Sequence, residues 1–221
     1  MRILVIGNEL HAVELKAKLG DNHAYVLVND HRHAEKVGEK TDLIFDFLIE
    51  ERPDQFQRYV NSVPAFLNTA KISLSELIHL SGKKPTGSVF GFNGLPTFIN
   101  RAFIECACWQ ETDEPELRKI AENLGTQVMI VDDRVGLVTP RVVCMIINEA
   151  YYTVQEGTAS REDIDMAMKL GTNYPFGPFE WSQRIGVHHV YELLEAVYDD
   201  TRDERYKICP LLKKEYLKTA G

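Results

Sequence analysis

The chain has 221 residues, 44 % of them hydrophobic and 26 % charged. That length can bury one large or two small cores, and the balance excludes a mostly disordered chain, a collagen or a coiled-coil rod. A net charge of −8, spread along the sequence, argues against nucleic acid as the main partner, because a phosphate backbone is bound by clustered Lys and Arg. No apolar run reaches the ~18 residues of a membrane span and no leader pattern follows Met1, so no membrane partner is expected. The four cysteines, Cys106, Cys108, Cys144 and Cys209, form no CxxC pair. They read as reduced thiols in a cytoplasmic protein.

Taken in chain order, the first part alternates apolar runs with helical patterns. Strands are expected at Ile3–Ile6, Ala24–Val28, Asp42–Phe47, Ala65–Leu67, Ser88–Phe92, Phe103–Cys108 and Gln127–Val131. Helices fit Glu9–Leu19, Pro53–Val60, Ser73–Leu80 and Glu114–Leu124, with Ser73 and Glu76 in a capping-box spacing. Unbroken apolar strands alternating with helices imply a parallel sheet covered on both faces. After Thr139 no good strand remains. Val142–Gln155 reads as a helix stopped by Gly157, Ser160 caps another, and 173–178 is a Pro/Gly turn. Phe179–Ile185, His188–Tyr198 and Pro210–Lys218 complete the helices. The expected fold is α/β, a shortened Rossmann-like doubly wound parallel sheet over residues 1–134, followed by an all-helical domain over 135–221.

A strand, a glycine and a helix are the elements with which a Rossmann fold grips a dinucleotide through GxGxxG. Here Gly7-Asn8-Glu9-Leu10-His11-Ala12 keeps the first glycine and a small third residue. Glu9 stands at the second glycine, placing a negative charge where pyrophosphate would lie. Asn29 or Asp30 falls at the end of the second strand, where ribose hydroxyls are recognised. Gly7, Asn8, Glu9, Asn29 and Asp30 are therefore the candidate NAD-binding residues. A scaffold without cofactor is the alternative.

The run Gly157-Thr158-Ala159-Ser160-Arg161-Glu162-Asp163-Ile164-Asp165-Met166-Ala167-Met168-Lys169-Leu170-Gly171, leading to Tyr174-Pro175-Phe176-Gly177-Pro178-Phe179-Glu180, resembles the C-terminal domain of 3-hydroxyacyl-CoA dehydrogenases. Asn148-Glu149-Ala150 fits the same domain. The resemblance is strong from Gly136 to about Ile185 and thin before it. It implies NAD-linked oxidation of a 3-hydroxyacyl-CoA in fatty-acid or related acyl metabolism, and a homodimer formed through the helical domain. It also implies a catalytic His, with a Glu twelve residues later to orient it. Asn93, in Gly91-Phe92-Asn93, takes the place of the His, and Glu105 stands at the Glu position. A carboxamide cannot serve as the proton acceptor that an imidazole can be.

Further departures follow from the same resemblance. Pro140 replaces the Asn expected before Arg141. The family's site serine is Ala70, which leaves Asn68 and Thr69 as candidate substrate ligands. The interval from Asp30 to Asp42 is too short for the helical hairpin that helps clasp CoA. Two readings stay open: an NAD-linked dehydrogenase in which Glu105 and Asn93 still act, and a catalytically inactive dimeric binding or regulatory protein.

Other clusters are read more plainly. His31-Arg32-His33 and His188-His189 lack companions at ligand spacing, so solvated histidines and no metal site are expected. Lys83, Lys84, Arg101 and Arg134 are either a local anion site or ordinary solvated surface. Glu105, in the apolar run Phe103–Cys108, is either part of a dyad or a structural group on an edge-facing strand.

Overall fold

Residues whose side chains must alternate between two covered faces form the strands of this protein, and the computed structural model describes them within residues 1–37 and 40–219. The strands are β1 (Arg2–Ile6), β2 (Ala24–Val28), β3 (Leu43–Asp46), β4 (Ala65–Asn68), β5 (Val89–Phe92), β6 (Phe103–Cys108) and β7 (Gln127–Val131). Among the described residues they make one sheet, ordered β2-β1-β3-β4-β5-β6-β7. All neighbours are parallel except β5 and β6, which run antiparallel. The fold is thus α/β and Rossmann-like, with a helical region after it. Glu105 lies on β6, an inner strand between β5 and β7 rather than an edge-facing one.

The alternation is visible in the two cores. Ile3, Val5, Phe45, Phe66, Phe90 and Phe92 face one side, under α1 (Glu9–Leu19) and α4 (Glu114–Asn123). Leu4, Ile6, Ile44, Ala65 and Leu67 face the other, with α3 (Leu74–Ser81). Ser73 caps α3 by accepting Glu76 N–H at 3.1 Å. The helix expected at 53–60 is a 3-10 segment over Pro53–Tyr59 that packs against α3.

Between β2 and β3 lies the short helix α2 (His31–Val37). Its first residue corrects an expectation. His31 is 5 % exposed, not solvated. Its Nε2 lies 2.8 Å from Asp46 Oδ2, which also accepts Tyr59 OH at 2.7 Å. Asp46 Oδ1 accepts Leu48 N–H at 2.8 Å. Burial of polar groups is tolerated here because each donor meets this one carboxylate.

The chain divides into two compact units, Met1–Leu137 and a second beginning at Val138. The second holds α5 (Thr139–Gln155), α6 (Arg161–Thr172), α7 (Pro178–Ile185), α8 (Val187–Thr201) and α9 (Pro210–Thr219). α5 packs on α7 and α8, and α8 on α9. Ser160 caps α6 by accepting Asp163 N–H. Asn148, buried on α5, donates to Lys207 O and accepts Cys209 N–H, so it ties α5 to the segment that opens α9.

Candidate functional site

The order of the strands locates the crevice first. From β1 the chain moves outward to β2, then returns across β1 to β3. In a doubly wound sheet, ligands bind at such a switch point, beyond the carboxyl ends of the strands. Here that point lies between β1 and β3. The loops beyond it carry Gly7–His11 on one side and Phe47 on the other.

Gly7 leaves β1 with its N–H on Val28 O at 2.9 Å. Asn8 then caps α1. Its Oδ1 accepts His11 N–H at 3.1 Å, and its own N–H donates to His11 Nδ1 at 3.2 Å. The imidazole of His11 lies flat on Phe47, with centroids 4.3 Å apart and planes 7° apart. Burial pushes the His11 pKa down to about 4, so the ring is neutral near pH 7 and its accepting Nδ1 places the proton on Nε2. Phe47 in turn meets the edge of Phe92 at 5.2 Å.

Gly7, Asn8, Glu9 and Asn29 border one open cavity of about 720 Å³, together with Leu27, Val28 and His33. Glu9 is exposed in the first turn of α1, where a carboxylate suits the helix dipole. Asp30, the other candidate for ribose, is turned to a different task. Its Oδ1 accepts His33 N–H and its Oδ2 meets His33 Nδ1, each at 2.8 Å, which caps α2.

The second group of candidates lies at the ends of β4, β5 and β6. Asn93 follows β5, and its N–H donates to Glu105 O at 3.0 Å, so the two residues face each other across the β5–β6 pair. Asn93 is 3 % exposed and Glu105 4 %. Asn93 Oδ1 accepts Leu95 N–H at 3.3 Å. Asn68 is buried, and its Oδ1 accepts Gly94 N–H at 2.9 Å. Thr69 is buried with its N–H on Phe92 O, and its hydroxyl finds no hydrogen-bond partner among the described residues.

Reading the sequence missed the residues that hold this region together. His11 and Phe47 are two. Glu14 of α1 is another: both of its carboxylate oxygens accept Thr97 N–H, at 3.0 and 3.2 Å. Burial raises the Glu14 pKa, against the lowering pull of that bond and of Arg101. Thr97 sits at φ 76°, a costly conformation for a β-branched residue. Lys18 donates to Arg101 O and Ala102 O, and Arg101 donates to Thr97 O. α1 thus clamps the loop that follows Asn93. Local periodicity carries no signal for contacts 83 residues apart, as Glu14 and Thr97 are.

The basic residues are engaged separately, Lys84 over the Trp109 ring and Arg101 on Thr97 O. Among the described residues no group of three or more His, Cys, Asp or Glu could hold a metal ion.

A doubly wound sheet with a glycine turn at its switch point, followed by a helical unit, defines a Rossmann-type dehydrogenase scaffold. Residues 136–219 match the sequence model of the 3-hydroxyacyl-CoA dehydrogenase C-terminal domain. A probable 3-hydroxybutyryl-CoA dehydrogenase of Bacillus subtilis is 33 % identical over 149 residues, 66 % of this chain and 52 % of the relative. The 3-hydroxyadipyl-CoA dehydrogenase of Escherichia coli K12 is 42 % identical over 97 residues, 44 % of this chain and 20 % of the relative. The (S)-3-hydroxybutyryl-CoA dehydrogenase of Ralstonia eutropha superimposes with a TM-score of 0.74, covering 99 % of this chain and 94 % of that one at 20 % identity, which supports the fold. Residues 136–219 thus carry the C-terminal domain of 3-hydroxyacyl-CoA dehydrogenases, and the chain is similar to members of that family. It spans between a fifth and about half of the length of those two curated relatives.

The family's cofactor is a nicotinamide dinucleotide, and the residues at the turn after β1 that would meet its pyrophosphate and ribose have other engagements. The Asn8 N–H is already bonded to His11, Glu9 brings a like charge, and Asp30 is occupied by His33.

Proposed function

We propose that this chain is a 3-hydroxyacyl-CoA dehydrogenase-like protein of acyl-CoA metabolism that no longer performs the parent oxidation. It serves instead as a homodimeric binding or regulatory protein on that scaffold. The observation that carries the reading is Asn93. It stands where the resemblance places the base, it is buried, and its oxygen accepts the Leu95 N–H. A carboxamide neither takes nor gives a proton near neutral pH, and loss of a positioned base costs about 10²–10⁴ in rate. NAD binding is weakened or lost for the reasons given at the turn.

A second reading keeps the protein an NAD-linked oxidoreductase. What favours it is Glu105, still buried directly across from Asn93. In that case Asn93 donates a hydrogen bond to the substrate oxygen, and Glu105 remains from the dyad.

Loss of NADH absorbance with acetoacetyl-CoA and concentrated protein separates the two. The first reading expects no turnover above the buffer rate. Turnover that falls in Glu105→Gln would establish the second. Exposed apolar side chains on the helical unit, including Val142, Met166 and Leu170 at 80 % exposure, support the homodimer. Sedimentation of the full chain tests it, and a monomer at micromolar concentration would reject it. Four free thiols support a cytoplasmic location. No described helix is long and apolar enough to cross a membrane.

A further inference from the structure

We infer that the chain's own His11, stacked on Phe47, takes the place of a pyrophosphate at the turn after β1, so that the turn seats no dinucleotide although the cavity bordered by Gly7, Asn8, Glu9 and Asn29 stays open beside it. The inference deepens the reading above, on which it rests, and concerns the cofactor alone.

Gly7 is the first support. In a phosphate-binding turn this glycine makes the tight bend toward the ligand. Here a Cβ at Gly7 would lie 2.6 Å from His11 Nδ1 and 3.3 Å from His11 Cβ. The missing side chain makes room for the folded-back imidazole. The glycine that resembles a relic of nucleotide binding is thus required by His11 itself.

The donors are the second support. A helix start binds an anion through backbone N–H groups that have no partner within the helix. At α1 two of these donors are taken, the Asn8 N–H by the imidazole and the His11 N–H by the Asn8 side chain. Because burial keeps the ring neutral, His11 supplies no positive charge in exchange. Of the residues at this turn, Glu9 is the charged one, and its charge repels a pyrophosphate.

The third support is position. Phe47 follows β3 directly, and its N–H donates to Ile6 O at 2.8 Å. This bond fixes the Phe47 backbone against the end of β1. The stacked pair therefore links the residues that follow the two strand ends, and the Phe92 ring meets Phe47 edge to face. Moving His11 aside would break the reciprocal cap and the stack together.

Isothermal titration of the full chain with NADH tests the inference. No saturable binding is expected up to about 1 mM, and a micromolar Kd overturns it. The Glu9→Gly/His11→Ala variant is expected to bind NADH at least about tenfold more tightly than the parent. No gain in a folded variant overturns the assignment to these two residues. A second readout requires no substitution. Nitrogen-15 spectra should show His11 neutral at pH 7, with Nδ1 unprotonated, and unmoved by NADH. A shift of that ring on adding NADH overturns the inference. NADH binding without turnover would sink this inference and leave the proposed loss of proton transfer standing. Turnover of acetoacetyl-CoA would remove that reading as well.

Discussion

The two units of this protein use their recognisable residues differently. In the helical unit, the residues that carry the resemblance bind one another. Asp165 accepts Phe179 N–H at 2.8 Å and Glu180 N–H at 3.1 Å, capping α7 from a neighbouring helix. Glu180 accepts Gly177 N–H and pairs with Lys169 at 2.7 Å. A Cβ on Gly177 would collide with the Asp165 carboxylate. These residues specify packing, so the motif stays intact whatever the protein does. In the α/β unit, the motif positions are those that would meet a ligand. They hold Glu9, Asn93 and Ala70, the residues on which the proposed loss of the parent reaction rests. A scaffold is kept by its internal contacts, whereas a site is kept only by its chemistry.

The comparison can be broken most forcefully at Asp46, at the end of β3. Asp46→Ala removes the shared acceptor of His31, Tyr59 and Leu48 N–H, and is expected to cost about 3–5 kcal/mol in chemical denaturation. A cost near zero would mean that the buried network contributes nothing. Gly7→Ala should cost about 1–3 kcal/mol through its clash with His11. In a His11→Ala background most of that cost should vanish, because the coupling is between those two residues. An undiminished cost would place the need for glycine in the backbone.

In the helical unit, Asp165→Ala should cost about 1–2 kcal/mol, the loss of a helix cap. An unchanged denaturation midpoint would remove the basis for the contrast between the units. The pH dependence of His11 is subtler. Its folded pKa of about 4 lies below the ordinary 6.5. As pH falls from 6.5 toward 4, the unfolded chain takes up a proton that the folded ring refuses. Stability from this group is therefore full above pH 6.5 and declines through that window. Melting curves of the parent and His11→Gln should diverge there, the parent losing more. Parallel curves would show that the ring is solvated. The smallest effect belongs to Glu9→Gln, expected to shift stability by less than about 0.5 kcal/mol. A larger loss would make Glu9 a structural residue rather than a tolerated replacement.

The sequence alone determined the strands and most helices, because apolar runs and caps such as Ser73 and Ser160 act over a few residues. The family resemblance also marked Asn93 and Glu105 as a pair, and the antiparallel β5–β6 register sets them face to face. The 3-10 form of Pro53–Tyr59 and the burial of His31 were not legible, since both depend on packing against α3 and Asp46. Nor was the closure of the glycine turn. From the sequence, Glu9 was the visible obstacle and His11 an unremarked residue on a helix. Only the tertiary structure brought Phe47, 36 positions away (47 − 11), onto the His11 ring. A hydrophobic pattern fixes which face of an element is buried. Which side chain settles on a turn is decided by where distant strands end in space.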